Sequence, residues 1–164
     1  MSEGAVDTAR LLLQLEIDQL NAAYAAALDE RRFGDWPVFF VPEGSYRLQA
    51  RENFDRGLPL ALMALESQGM MKDRVYGITQ TIYHVPYYTR HVVGPAQVLA
   101  QDGDRVKTQA HYAVFRTRPG DSSEVFNVGR YIDEIVRTPD GLKFASRLCV
   151  YDSEMVLNSL IYPI

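Results

Sequence analysis

Cysteine is nearly absent from this sequence, with Cys149 alone. One cysteine excludes an internal disulfide and any multi-cysteine metal or iron–sulfur site. A lone cysteine between apolar neighbours fits a small buried hydrophobe within a strand. A positive excess is also missing: 17 Lys+Arg stand against 21 Asp+Glu, a net charge of -4. That balance leaves no concentrated basic face for a nucleic acid. The longest apolar runs, such as Pro37 to Val41, fall far short of the roughly 20 residues that cross a bilayer. The opening MSEGAVDTAR carries acidic residues where a secretory leader would be positive, so the expected compartment is the cytoplasm. No glycine-rich phosphate loop is present, because Gly94-Pro95 and Gly129-Arg130 stand alone. Nor is there a Gly-x-Ser-x-Gly elbow, since Ser45 precedes a strand rather than a helix. Nucleophilic hydrolysis is therefore unsupported.

What is there reads as one soluble domain spanning residues 1–164, 47% hydrophobic and 23% charged. A chain of this length buries roughly 70% of its unfolded surface. Thr8 to Arg32 lacks Gly and Pro, and Leu13, Ile17, Leu20, Tyr24 and Leu28 line one helical face. Thr8 or Asp7 caps its start and Gly34 ends the segment. A short helix is predicted near Pro37 and a short strand over Ser45 to Gln49. Leu58 to Gln68 reads as a second helix between Gly57 and Gly69. Met71 to Tyr76 is either a turn of helix or irregular. The second half changes character: Val92 to Ala100, Arg105 to Arg118, Glu124 to Thr138 and Leu142 to Asp152 are rich in Val, Ile, Tyr and Phe. Gly, Asp and Pro separate them, so four long strands form an antiparallel meander. Val106, Thr108, Ala110, Tyr112 and Val114 share one face of the second, and Lys107, Gln109, His111 and Ala113 the other. Helices followed by strands give an α+β domain whose helices cover one face of a curved sheet.

The stretch YHVPYYTRHVVGP, Tyr83 to Pro95, holds His84 and His91. With Asp73 or Asp133 they have the residue types of a two-His-one-carboxylate iron centre. Pro86 prevents a shared helical face, and a separation of seven sends them to opposite faces of a strand. Hydrogen-bonded histidines in a packed or interface position are the simpler reading. Acid–base chemistry is the second candidate: His91 or His111 as base, Asp35 as its orienter, and a tyrosine as donor to a developing oxyanion. That would make the chain a stand-alone dehydratase or isomerase. A ligand-binding regulatory module is a third possibility.

The remaining pattern concerns surfaces. Arg90, Arg116, Arg118, Arg130, Arg137 and Arg147 fall among Asp133, Glu134 and Asp152, interleaved with Tyr131, Tyr151 and Tyr162. Arginine and aromatic residues are enriched in protein interfaces. The alternative is a solvated sheet face with ion pairs each worth at most about 1 kcal/mol. The stretch Leu157 to Ile164 is apolar to its end and is predicted to dock on its own sheet or on a neighbour.

Several of these words occur in a familiar order. Trp36-Pro37-x-Phe39-Phe40 ends the first helical region, followed by Tyr46, Asp73-Arg74 and Arg90-His91. Gly129-x-Tyr131-x-Asp133 comes next, then Asp140-Gly141-Leu142-Lys143, Arg147, Tyr151-Asp152, Leu160 and Pro163-Ile164. From about Leu12 to Ile164 the chain resembles the small (β) subunit of the aromatic-ring-hydroxylating dioxygenases, the Rieske non-haem iron oxygenases. The resemblance implies an NTF2-like (cystatin-like) cone, a strongly curved antiparallel sheet with N-terminal helices in its concavity. It implies a non-catalytic structural subunit, holding no cofactor or metal of its own. The Rieske 2Fe–2S cluster and the mononuclear iron would belong to a large (α) subunit. Three small and three large subunits would assemble, with β–β contacts, and would rely on a ferredoxin or reductase. The implied substrate is a benzoate-like or hydroxybenzoate-like aromatic acid. Under the resemblance, Trp36, Arg90, His91, Arg130, Tyr131, Asp133, Arg147, Tyr151, Asp152 and Tyr162 serve structure or subunit contacts. Arg90 would pair with a carboxylate across an interface, and His91 would hydrogen-bond where its strand begins.

Overall fold

Twenty-two residues without Gly or Pro, Thr8–Asp29, form helix α1 of the computed structural model, which describes residues 7–155 and 160–164. Asp7 caps it, its carboxylate accepting from the Arg10 amide at 3.2 Å. Leu13, Ile17, Asn21, Tyr24 and Leu28 form the buried stripe, so Asn21 takes the place expected of Leu20. The helix stops earlier than Arg32, because Arg31 adopts a left-handed φ of 56° and turns the chain away. A short 3-10 helix follows over Phe33–Phe39, with Pro37 inside it. Strand β1 is longer than predicted, Phe40–Ala50, and runs into a single turn of helix, α2, Arg51–Asp55.

The helix expected over Leu58 to Gln68 does not form. Met63–Leu65 is instead a short strand, β2, placing Met63, Ala64 and Leu65 opposite Leu48, Arg47 and Tyr46 of β1. The segment before it is held extended along β1: Gln49 Nε2 donates to Leu58 O at 2.6 Å and Arg47 to Pro59 O at 2.7 Å. Pairing with an open sheet edge has overridden local helix propensity. Helix α3, Gln68–Tyr76, begins where Ser67 accepts the Met70 amide at 3.2 Å, and passes into one π turn, Gly77–Thr81.

The predicted strand over Val92 to Ala100 is two strands, β3 (Tyr88–Val93) and β4 (Gln97–Asp102). Both pair antiparallel with β5, Arg105–Thr117. The interruption is Gly94-Pro95-Ala96, where α1 reaches the sheet: Ala96 N donates to Asp18 Oδ1 at 2.9 Å and Ala96 O accepts from Gln14 Nε2 at 2.7 Å. Strands β6 (Glu124–Thr138) and β7 (Gly141–Tyr151) complete the meander. The sheet order is β2-β1-β7-β6-β5-β3, with β4 beside β5. All pairings are antiparallel except β1 with β7, which is parallel.

The α+β reading therefore holds, with a curved, unclosed sheet wrapped around the N-terminal helix. Val106, Thr108, Ala110, Tyr112 and Val114 of β5 are all buried, as their shared face requires. Tyr24 of α1 fills the centre, with the rings of Phe39, Phe40, Tyr131 and Phe144 at 5.7–6.4 Å. Edge-to-face rings in this range contribute beyond their buried area.

Candidate functional site

Asp18 and Asn21, then Ala22, Ala25, Ala26 and Asp29, lie along the side of α1 that faces β3, leaving an open cleft of about 630 Å³. An aspartate at each end fastens helix to sheet. Asp18 takes the Ala96 amide, and Asp29 Oδ2 takes the His91 amide at 2.9 Å. The other oxygen, Asp29 Oδ1, accepts from Thr89 Oγ1 at 3.1 Å and lies 2.6 Å from His91 Nδ1. A carboxylate can only accept, so Nδ1 carries a proton. His91 and Asp29 thus form the base–orienter pair that acid–base catalysis uses. Burial works against that use. The imidazole is wholly inaccessible, and its Nε2 has no hydrogen-bond partner among the described residues. The pair as built fixes the strand on the helix and presents no nitrogen to the cleft.

The partner expected for a catalytic histidine was Asp35, and the structure corrects this. Asp35 is exposed and ion-pairs with Arg32 at the turn after α1. His111 points to the outer face of β5 and is exposed, so it shares no site with His91. The two residues cannot act together, because they lie on opposite sides of the sheet. Asp29 carried a signal that could have found it. It stands eleven residues after Asp18, three helical turns, with small residues between, so both face one neighbouring strand.

His84 is also engaged, with Nδ1 at 3.0 Å from Ile82 O and Nε2 at 2.8 Å from the Tyr162 hydroxyl. Among the described residues no three His, Cys, Asp or Glu come together to hold a metal ion. The iron-centre grouping of His84, His91 and Asp73 or Asp133 is therefore not assembled.

A second polar centre lies inside the cone. Arg147 donates to both oxygens of Asp133, at 2.9 and 2.7 Å, and also to Asn21 Oδ1, all three side chains being buried. The rings of Tyr24, Tyr131 and Phe144 lie 4.3, 3.8 and 4.0 Å from its guanidinium carbon. Burial pushes the Asp133 carboxyl up while Arg147 opposes it, and the carboxylate holds Arg147 firmly protonated against its own burial. Tyr131, Asp133 and Arg147 are thus internal and touch no outer surface. All three sit in the core, the β-bulge between β6 and β7 turning Arg147 inward.

The other residues singled out for structure or contacts divide between core and rim. Trp36 is buried, its Nε1 donating to the Tyr24 hydroxyl at 3.3 Å. Tyr151 is buried, while Asp152 is exposed beside Arg51, 3.4 Å away. Arg130 lies over the Phe54 ring at 5.3 Å. Arg90 is exposed on the outer face of β3, with no carboxylate within ion-pair distance among the described residues. Tyr162 is buried in the mouth of the cone. The docking expected of residues 157–164 holds for 160–164, and Leu157 to Ser159 lie outside the described residues. Ile164 N donates to the Tyr46 hydroxyl at 2.8 Å, and its main-chain oxygen accepts from Tyr24 at 2.7 Å.

Sequence families and solved structures agree with this architecture. Residues 9–148 match the SnoaL-like domain. The small subunit of anthranilate 1,2-dioxygenase from Burkholderia cepacia is 33% identical over 149 residues, spanning 91% of this chain and 92% of that protein. The chain belongs to the small-subunit family of the aromatic-ring-hydroxylating dioxygenases. Subunit beta 2 of the terminal oxygenase component of terephthalate 1,2-dioxygenase from Comamonas is 25% identical, covering 94% of this chain and all of its own length. A solved chain from Novosphingobium aromaticivorans, assigned as the beta subunit of an aromatic-ring-hydroxylating dioxygenase, superposes with a TM-score of 0.87. It is 36% identical, over 95% of this chain and 99% of that one. That solved small-subunit chain thus shares the fold described above.

Proposed function

We propose that this chain is the non-catalytic small subunit of a multicomponent oxygenase acting on a benzoate-like or hydroxybenzoate-like aromatic acid. The observation that carries the proposal is the 33% identity to an anthranilate dioxygenase small subunit along 92% of its length. Two features support a structural role. The polar groups placed for chemistry are closed on one another, Asp29 with His91 and Asp133 with Arg147. A Rieske centre takes two cysteines and two histidines, and this chain has Cys149 alone, buried in the core. The cluster and the mononuclear iron are therefore assigned to a large partner subunit, in an assembly of three small and three large subunits in the cytoplasm. No residue here is given a catalytic role.

The contact surface is proposed on the outer face of the sheet, where Tyr88 and Val92 of β3 and Val125 and Val128 of β6 are exposed around Arg90. Val92 lies opposite Ala113, and Ala113 opposite Val128, so these side chains form a continuous patch. Co-expression with the neighbouring large subunit tests the reading. Co-purification in equal stoichiometry with an iron- and sulfide-containing chain is expected, and recovery of this chain alone and metal-free would overturn it.

The 2.6 Å Asp29–His91 contact beside an open cleft favours one second reading, a stand-alone dehydratase or isomerase. Under that reading, His91→Gln abolishes turnover by the isolated chain. Under the structural reading, oxygenase turnover per assembled complex is retained.

A further inference from the structure

The segment from Leu160 to Ile164 is bound to the cone much as a ligand would be. It joins no strand, and the contacts that hold it are made by side chains. Arg74 donates to Ile161 O at 2.7 Å, and the Tyr46 hydroxyl both accepts from Ile164 N and donates to its oxygen. The most shaped part of this contact is the slot around Tyr162. Its ring stacks on Tyr87 with centroids 4.4 Å apart, leans against Phe33 at 4.6 Å, and meets the edge of His84 at 5.3 Å.

The slot also selects for a hydroxyl donor. His84 Nδ1 lies 3.0 Å from the Ile82 carbonyl oxygen, which can only accept, so Nδ1 carries the proton of the neutral ring. Nε2 is then an acceptor, and the Tyr162 hydroxyl donates to it at 2.8 Å. A flat ring between two aromatic side chains, with an acceptor at its far end, fits a phenol. The slot is not sealed. Tyr162, Phe33 and His84 border an open cleft of about 590 Å³, with Arg31, Ile78 and Pro86 on its other walls.

We propose that this slot is a binding site for hydroxyaromatic compounds, kept closed in the resting chain by the chain's own Tyr162. A tethered side chain competes at an effective concentration in roughly the millimolar range. A free phenol therefore enters the unaltered protein only at high concentration, displacing Tyr162, and enters readily once that ring is removed.

The experiment uses the full chain carrying Tyr162→Ala, at pH 8, with p-cresol as probe and toluene as the same shape without the hydroxyl. Thermal unfolding and calorimetric titration are expected to show p-cresol binding at least about tenfold more tightly to the variant than to the unaltered chain. Toluene is expected to bind much more weakly than p-cresol, and adding His84→Ala is expected to erase that preference. If Tyr162→Ala does not fold alone, recovery of folded protein on refolding with p-cresol supports the site. Failure of p-cresol to bind or to rescue folding overturns the proposal. So does equal binding of toluene, or a phenol preference that survives the loss of His84.

Discussion

Arg147 owes its place to a single extra residue. Strict alternation along β7 from Phe144 would send residue 147 outward, but Glu134 pairs with Ser146 and Ile135 with Phe144, so the register slips at Ala145. That bulge was not legible, and the sequence therefore placed an arginine among surface residues that belongs to the core. Its removal strands Asp133 without a counter-charge. Arg147→Met is expected to cost about 3–5 kcal/mol in urea unfolding, whereas Arg147→Met with Asp133→Val should recover most of the loss. Asp29 was missed although its spacing from Asp18 puts both on one helical face, because which strand that face meets is settled only by the fold. The buried phenols and thiol give a further test. Burial pushes Cys149 up to about 12, and also raises Tyr24, Tyr46, Tyr112 and Tyr131. Raised folded values mean the unfolded chain releases these protons first as pH climbs. Their contribution to stability is complete below about pH 9 and lost progressively above it, so the denaturation midpoint should fall from pH 9 toward 12. Cys149 should resist thiol reagents at pH 8 in the folded chain.

Elements with long, regular patterns were read correctly, and those decided by a neighbour were not. Strand β5 alternates in burial along its thirteen residues and β6 does so from Gly129 to Val136, a signal that needs no tertiary information. β2 spans only Met63–Leu65 and exists because β1 offers an open edge. The break between β3 and β4 was written in Gly94-Pro95, yet its purpose appears only when Asp18 meets Ala96. Gly129 of β6 shows how closely two strands approach. A β-carbon there would lie 2.0 Å from Val150 O and 2.8 Å from Tyr151 Cα, both backbone atoms that cannot swing aside. Gly129→Ala is therefore expected to destabilise by about 1–3 kcal/mol or more, measured by urea unfolding. Alanine at Gly34, where nothing lies within 4 Å, serves as the tolerant control.

For the molecule as a whole, the family was legible because its words are spread along the chain and keep their order. The division between core and contact surface was not, since arginine and tyrosine serve both. The outer sheet face now gives the sharper test. Val92→Asp with Val128→Asp replaces two exposed side chains that flank Ala113 of β5 from β3 and β6. Exposed positions usually change stability within about 0.5 kcal/mol each, so the isolated chain should unfold almost as before. Recovery with the large subunit should fall at least tenfold in a pull-down, while an equivalent pair at Leu11 and Leu12 of α1 should not reduce it.

The parallel contact between β1 and β7 also governs how the chain reaches this state. Tyr46 pairs with Arg147 and Leu48 with Cys149, partners about 100 residues apart. Loop closure over that span precedes any gain from the contact, which slows folding relative to the local β5–β6–β7 hairpins. During synthesis, β1 emerges with one flank bare and waits for nearly the whole remaining chain. The meander is expected to fold first, as a template, with β1 and its attached β2 adding last. An exposed strand edge in the meantime invites misassociation. Pulsed hydrogen exchange should accordingly protect the amides of Gln109 and Ile132 before those of Leu48, which gives this subunit a kinetic dependence on chaperones or on early capture by its partner.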